Sequence, residues 1–465
     1  WLIENGHVRT DAEGNVVTDA QGEPLPEVEL KLDTSGRNMT KQIIHGVAGA
    51  AADVQDISPG FARFMRKIGV LSIIDEPAAE LGFGLENTYE AIGPSLMTEE
   101  GQVTYPCNVG VIMLWVNTDT FERFGVPLPP QQHWTLDAFE TIGKQFYEAT
   151  EDPDKIGQEY YFLSRVGILD ILRTFEVSIF NETLTACRIN EPAYREAMVE
   201  TMDRLYRWTH VLNLLPDIGQ EAEMATGISA GYGGPMAARF AQGYIGLMRI
   251  GRYAVIAWRE QARNPDVIRH LHGIEGELPA GEQLPEMARL QLDVVELPHA
   301  IRPVAMMTTR GAGVYTQAKH KHYAHLFLSY LASEKYNMQI VRDGDALPPN
   351  PKYTDTELFK RPPDWPNEWG LHEKFSEAAR TIAVPSVYSP FVLYKSVRDR
   401  LGTLKQEVIL ARLTPEEAAE NLQKLINRDI QAFLLDNPKL RDEYERRLKV
   451  QDRIDQMRAN DEVIP

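Results

Sequence analysis

Cysteine is nearly missing from this chain: 465 residues carry only Cys107 and Cys187. Neither belongs to a CxxC pair, which removes thiolate metal clusters and dithiol redox motifs, and two thiols cannot staple a disulfide scaffold. Positive charge is also short. Lys and Arg number 48 against 67 Asp and Glu, a formal net charge of -19. A phosphate backbone is repelled by such a chain, and no basic tract interleaved with aromatics reverses this locally, so nucleic acid is not an expected partner. No apolar run approaches the roughly 20 residues of a membrane helix. There is no Walker loop, no GxGxxG after a strand and no HExxH, so no cofactor, no metal and no catalytic residue is expected. No internal repeat or low-complexity tract stands out.

What remains is the composition of a globular protein, 43% hydrophobic and 25% charged, in a chain long enough for two domains. PEVELKLDT (26–34) alternates Val28, Leu30 and Leu32 against Glu27, Glu29 and Lys31, the period of a half-buried strand, and 39–52 can form a helix. A strand is expected at 52–57, then a helix over 61–68 closed by Gly69, and a strand buried on both faces at 109–116 (VGVIMLWV). Trp134 and Thr135 open a helix with Phe139, Ile142 and Phe146 on one face, and Pro192 opens a longer one. YIGLMRI leads as a strand into Gly251, Arg252 and Tyr253, and 290–298 is another strand. Thr316 and Ser333 are candidate helix caps, and TPEE (414–417) is a capping box. Alternating strands and helices predict an α/β fold.

Three motifs need weighing. GISAG (227–231) satisfies the G-x-S-x-G expression around Ser229 but follows QEAEMAT, which is no strand, so a loop is the better reading than a hydrolase elbow. KHKHYAH (319–325) reads as a solvated helix face, since no further ligands accompany its histidines. NMT (38–40) and NET (181–183) match the glycosylation sequon, as short motifs do by chance. Aromatics are more informative. Tyr253 follows a strand, and Trp365, Trp369 and Tyr388 lie in proline-rich loops; flat faces beside polar groups suit a sugar.

In order along the chain, ADVQDISPGFARFMRKIGVLSIID, VTYPCNVGVIMLWVNTDTFERFGVPLPPQQHWTLDAFETIGKQF, FAQGYIGLMRIGRYAV and TTRGAGVYTQAKHKHYAHLFLSYLASEKYNMQIVRDGDALPPNP resemble segments of the extracellular solute-binding proteins of ABC importers, the class with carbohydrate-binding members. The likeness spans roughly residues 26 to 430; residues 1–25 do not resemble the family's first strand. It implies a two-lobed periplasmic-binding-protein fold with interleaved lobes and crossing hinge strands: residues 1–110 plus 300–348 as one lobe, 111–299 plus 349–465 as the other. By position, Ser58, Asn108, Gly311 and Gly313 would face the ligand from the first lobe or hinge, and Arg165, Arg252, Tyr253, Trp369 and Tyr388 from the second. The family implies a monomer that captures a sugar or oligosaccharide and delivers it to ABC permease subunits. It implies a periplasmic or lipid-anchored location, with an export signal ahead of Trp1. An enzyme or a receptor-linked sensor on the same scaffold is the alternative.

Overall fold

The computed structural model describes residues 1–33, 38–151, 159–226, 233–261 and 290–460. The chain forms two compact units. Trp1–Asn108, Thr309–Ile340 and Pro348–Tyr353 make the first; Val109–Thr308, Val341–Leu347 and Thr354–Pro465 make the second.

In the first unit the strand Val54–Ile57 pairs antiparallel with the end of Ala305–Val314, Val54 opposite Val314 and Ile57 opposite Gly311. Buried Tyr105, Phe83, Ile74 and Leu328 form its core, against which Lys321–Ala332 and Asp75–Leu81 pack. Thr316 does not cap that helix: its Oγ1 donates to the Gly69 carbonyl (2.7 Å), and the helix starts at Lys321 behind His320. Ser333 does accept from the Tyr336 N–H in the next helix, Glu334–Asp343.

The acidic-glycine stretches DAEGN and DAQGE, which read as turns of a small hairpin or an exposed excursion, form a small tandem within residues 1–26. Asp11 Oδ1 accepts from Glu13 and Asn15 N–H, and Asp19 Oδ1 accepts from Gln21 and Glu23 N–H. The two turns stack because Val17 N–H donates to Arg9, Leu25 to Val17 and Arg9 to Leu25, each at 2.8–2.9 Å. Of the strand expected at 26–34, the described residues 26–33 form none. Residues 27–33 are irregular, with Leu30 75% and Leu32 83% exposed. Alternation prepares a strand, but a ladder needs a neighbour to accept its N–H groups. None of the described strands pairs with this segment.

In the second unit the latter half of Thr104–Asn117 is central. Ile245–Gly251 pairs antiparallel with it on one side (Ile112 opposite Gly251), and Leu292–Val295 antiparallel on the other (Leu114 opposite Val295). Tyr161–Leu163 joins parallel to Ile245–Gly251. Trp134, Phe139, Phe146, Phe162 and Trp208 fill one core, Phe139 and Trp208 lying 4.5 Å apart by ring centroid. Helices Leu136–Thr150, Pro192–His210, Tyr394–Ile409 and Pro415–Asp436 supply much of it; Thr135 caps the first, and Thr414 forms a full capping box with Glu417 on the last. Ion pairs from Arg188 to Asp455 and from Arg458 to Glu182 tie the final helix, Arg441–Ala459, to this unit.

Candidate functional site

Tyr161–Leu163 and Ile245–Gly251 run parallel, Leu163 opposite Leu247, so their carboxyl ends open on one edge of the second unit's sheet. Ligands of open α/β sheets gather at such ends. Ser164 and Arg165 follow the first strand, Arg252 and Tyr253 the second. Tyr253 is half-buried and its ring lies against Gly251, where an added Cβ would come within 2.8 Å of Cε1; glycine is what lets the ring lie flat on the backbone. Burial raises the Tyr253 phenol above its usual range, although Arg249 and Arg165 pull it down.

Five further residues complete this edge. Arg249, the charged position in an otherwise apolar strand, pairs with Asp170 through Nε and Nη2, both at 2.5 Å. Asp170 is itself oriented by the Gly167 N–H (2.7 Å) at the start of Ile168–Leu172. Tyr394, first residue of its helix, lies within electrostatic reach of both and stands edge-on to Tyr388, centroids 4.7 Å apart. From the same helix, Lys405 donates to the Val166 carbonyl at 2.9 Å. Burial pushes the Lys405 amine down, and the pull of Glu221 and Asp170 does not offset it. Burial likewise holds the neighbouring Glu221 carboxyl up, despite Lys405 and Arg165. Of the expected residues, Arg165, Tyr253 and Tyr388 are thus assembled here. Asp170, Arg249, Tyr394, Lys405 and Glu221 are additions; only Arg249, a charge inside an apolar run, left a sequence signal.

Arg252 is turned away from this edge. It is 1% exposed, a fully buried guanidinium. Its Nε donates to His372 Nδ1 (3.0 Å), Nη1 to the carbonyls of Asp345 (2.5 Å) and Ala346 (3.2 Å), and Nη2 to that of Val341 (3.3 Å). His372 Nε2 meets Glu368 (2.9 Å), and Arg259 grips both Glu368 oxygens at 2.8–2.9 Å. This network fastens Val341–Leu347, a segment whose flanking residues both belong to the first unit. Arg252 therefore serves the architecture. Trp369 also lies apart, 50% exposed, its Nε1 donating to the Pro362 carbonyl and Arg361 over its ring.

In the first unit, exposed Ser58 ends the strand Val54–Ile57, beside the Asp56–Arg310 ion pair. The Asn108 carbonyl accepts from Thr309 Oγ1 (2.6 Å). Gly311 and Gly313 are buried, and Thr104 fills the space their side chains would take: an added Cβ would stand 2.7 Å from its Oγ1 at Gly311 and 3.1 Å from its Cγ2 at Gly313. These glycines admit a neighbouring strand, which accounts for their lack of a side chain without a ligand.

Among the described residues no group of His, Cys, Asp and Glu could hold a metal, and no helix is long and apolar enough to cross a membrane. Burial pushes both cysteine thiols up to about 12. Asn38 Oδ1 caps Met39–Val47, while Asn181 is buried with its amide nitrogen bonded to Thr185, so the second sequon offers no open amide. GISAG lies outside the described residues.

No protein-family model and no curated protein sequence matches the chain. Solved structures do. An ABC substrate-binding protein from Listeria monocytogenes in complex with cycloalternan superimposes with a TM-score of 0.66 at 18% identity, over 86% of this chain and 90% of that one. The sugar-binding protein MalE of Xanthomonas citri gives 0.64 at 12% identity, over 88% and 92%. An ABC transporter solute-binding protein of Thermotoga lettingae bound with α-D-tagatose gives 0.62 at 16%, over 84% and 88%. The fold of this chain is that of the solute-binding proteins of ABC transporters.

Proposed function

We propose that this protein captures a sugar or oligosaccharide outside the cytoplasm and delivers it to the permease subunits of an ABC importer, without chemistry on the ligand. The observation that carries this reading is the edge of the second unit's sheet. Two parallel strands end together there, one of them leading into Tyr253, with the edge-on Tyr388–Tyr394 pair in electrostatic reach of the Arg249–Asp170 ion pair. Aromatic faces offer apolar area for the C–H face of a pyranose, and the ion pair offers oriented donors and acceptors to its hydroxyls. The similar structures solved with cycloalternan and α-D-tagatose support a carbohydrate in this role. They are binding proteins associated with transport, which favours capture over catalysis.

Calorimetric titration with mono- and oligosaccharides, followed by chromatography of the recovered ligand, tests the reading. Saturable heat with the sugar recovered intact is the expected result. A sugar converted to product, with the conversion lost in Ser229→Ala, would replace capture with hydrolysis. A peptide or polyamine binding where no sugar does would change the ligand class.

A further inference from the structure

The sheet edge carries more cation than its own structure uses. Asp170 satisfies Arg249. Arg165 is exposed and, among the described residues, has no hydrogen bond or ion pair, while Lys405 spends its ammonium on a single carbonyl and contacts no carboxylate. Yet Arg165 and Arg249 both lie within electrostatic reach of Lys405 and of Tyr253. Glu221, Asp217 and Asp345 also face this group. Asp217 is committed to capping Ile218–Ala225 through the Gln220 N–H, and burial holds the Glu221 carboxyl toward its neutral form. In a chain with 67 acidic against 48 basic residues, carboxylates to neutralise two neighbouring cations are plentiful, and among the described residues none pairs with Arg165 or Lys405. A planar, exposed guanidinium within electrostatic reach of a tyrosine and of a desolvated ammonium is suited to one thing an ordinary neutral sugar lacks: an anionic substituent held in two hydrogen bonds.

Resting on the sugar-capture reading, we propose that the ligand is an acidic carbohydrate, its anionic group received by Arg165 in the field of Lys405 and its ring face by Tyr253 and Tyr394. The anion relieves the repulsion between Arg165 and Lys405, so ligand binding and local electrostatics reinforce each other. Ligand affinity is then salt-dependent, as neutral-sugar binding is not.

Titrations with trigalacturonate (a carboxylate on each ring), a 6-O-sulfated disaccharide and maltotriose, each against wild type, Arg165→Gln and Arg165→Lys, decide the matter. The expected result is binding of the uronate or the sulfated sugar in preference to maltotriose, weakened about tenfold or more by R165Q, largely restored by R165K and weakened by added salt. Which acidic probe binds identifies the anion. Maltotriose bound more tightly than both acidic probes, or acidic-probe binding indifferent to R165Q, overturns the acidic ligand and leaves sugar capture standing. Binding of none of the three, with a peptide or polyamine bound instead, overturns sugar capture itself.

Discussion

Replacing His372 with Gln should remove a steep pH dependence from the stability of the second unit. His372 is fully buried, and its Nδ1 accepts from Arg252 Nε, so the ring proton resides on Nε2 and is donated to Glu368. A protonated ring would turn an N–H against the guanidinium. Burial first, and Arg252 second, push its pKa from 6.5 down to about 4. The unfolded chain therefore takes up the proton first as pH falls. The network's contribution is complete above about pH 6.5 and is lost on the way down to about 4, the reverse of a histidine stabilised by its charge. Across that window one proton separates the states, a slope of about 1.4 kcal/mol per pH unit, or about 3 kcal/mol in total. Guanidinium unfolding followed by tryptophan fluorescence, repeated between pH 7 and 5, measures it. His372→Gln should be less stable than wild type at pH 7 and converge on it toward pH 5. His299 and His325, also pushed down by burial, stay in both proteins and cancel in the difference. Parallel stability curves would refute the buried neutral histidine and the tautomer assigned to it.

Gly313→Ala places a methyl 2.9 Å from Leu71 Cδ2 and should cost about 1–3 kcal/mol, read as a lower melting temperature of the first unit. Asp170→Asn leaves the Arg249 guanidinium without its counter-ion; a loss of about 3 kcal/mol or a sharp fall in ligand affinity is expected in denaturant and binding titrations. Thr414→Ala breaks the capping box and should cost about 1 kcal/mol, measured by chemical unfolding of the second unit. Leu30→Ser with Leu32→Ser should leave stability within about 0.5 kcal/mol by the same measure, because both side chains are in solvent already.

Elements with strong local signals were legible in the sequence. The apolar run VGVIMLWV is part of Thr104–Asn117, Pro192 opens its helix, and the TPEE box is formed as read. The signals that misled were those whose meaning depends on a partner. Val28, Leu30 and Leu32 alternate, but no described strand pairs with them; Thr316 has the chemistry of a cap but finds the Gly69 carbonyl instead. The site shows the same division. Tyr253 was legible because it directly follows a strand, whereas Asp170, Tyr394 and Lys405 reach the same edge from separate helices, a convergence that only the folded chain displays. Arg252 was ambiguous in sequence because a guanidinium at a strand end can serve a ligand or the interior. What decides it is the cluster of backbone carbonyls at 341–346, ninety residues or so downstream.

The seven-residue visit of Val341–Leu347 to the second unit, fastened by Arg252, bears on how this protein can be dissected. Neither unit is a contiguous stretch of gene. A fragment stopping before Val341 strips the second unit of the carbonyls that satisfy a buried guanidinium, and of 354–465 with the His372 and Glu368 that complete its network. Serial truncation would therefore report a single indivisible protein. Removing 1–108, 309–340 and 348–353 together, with short glycine-serine joints that keep 341–347, is the cut that respects the connectivity.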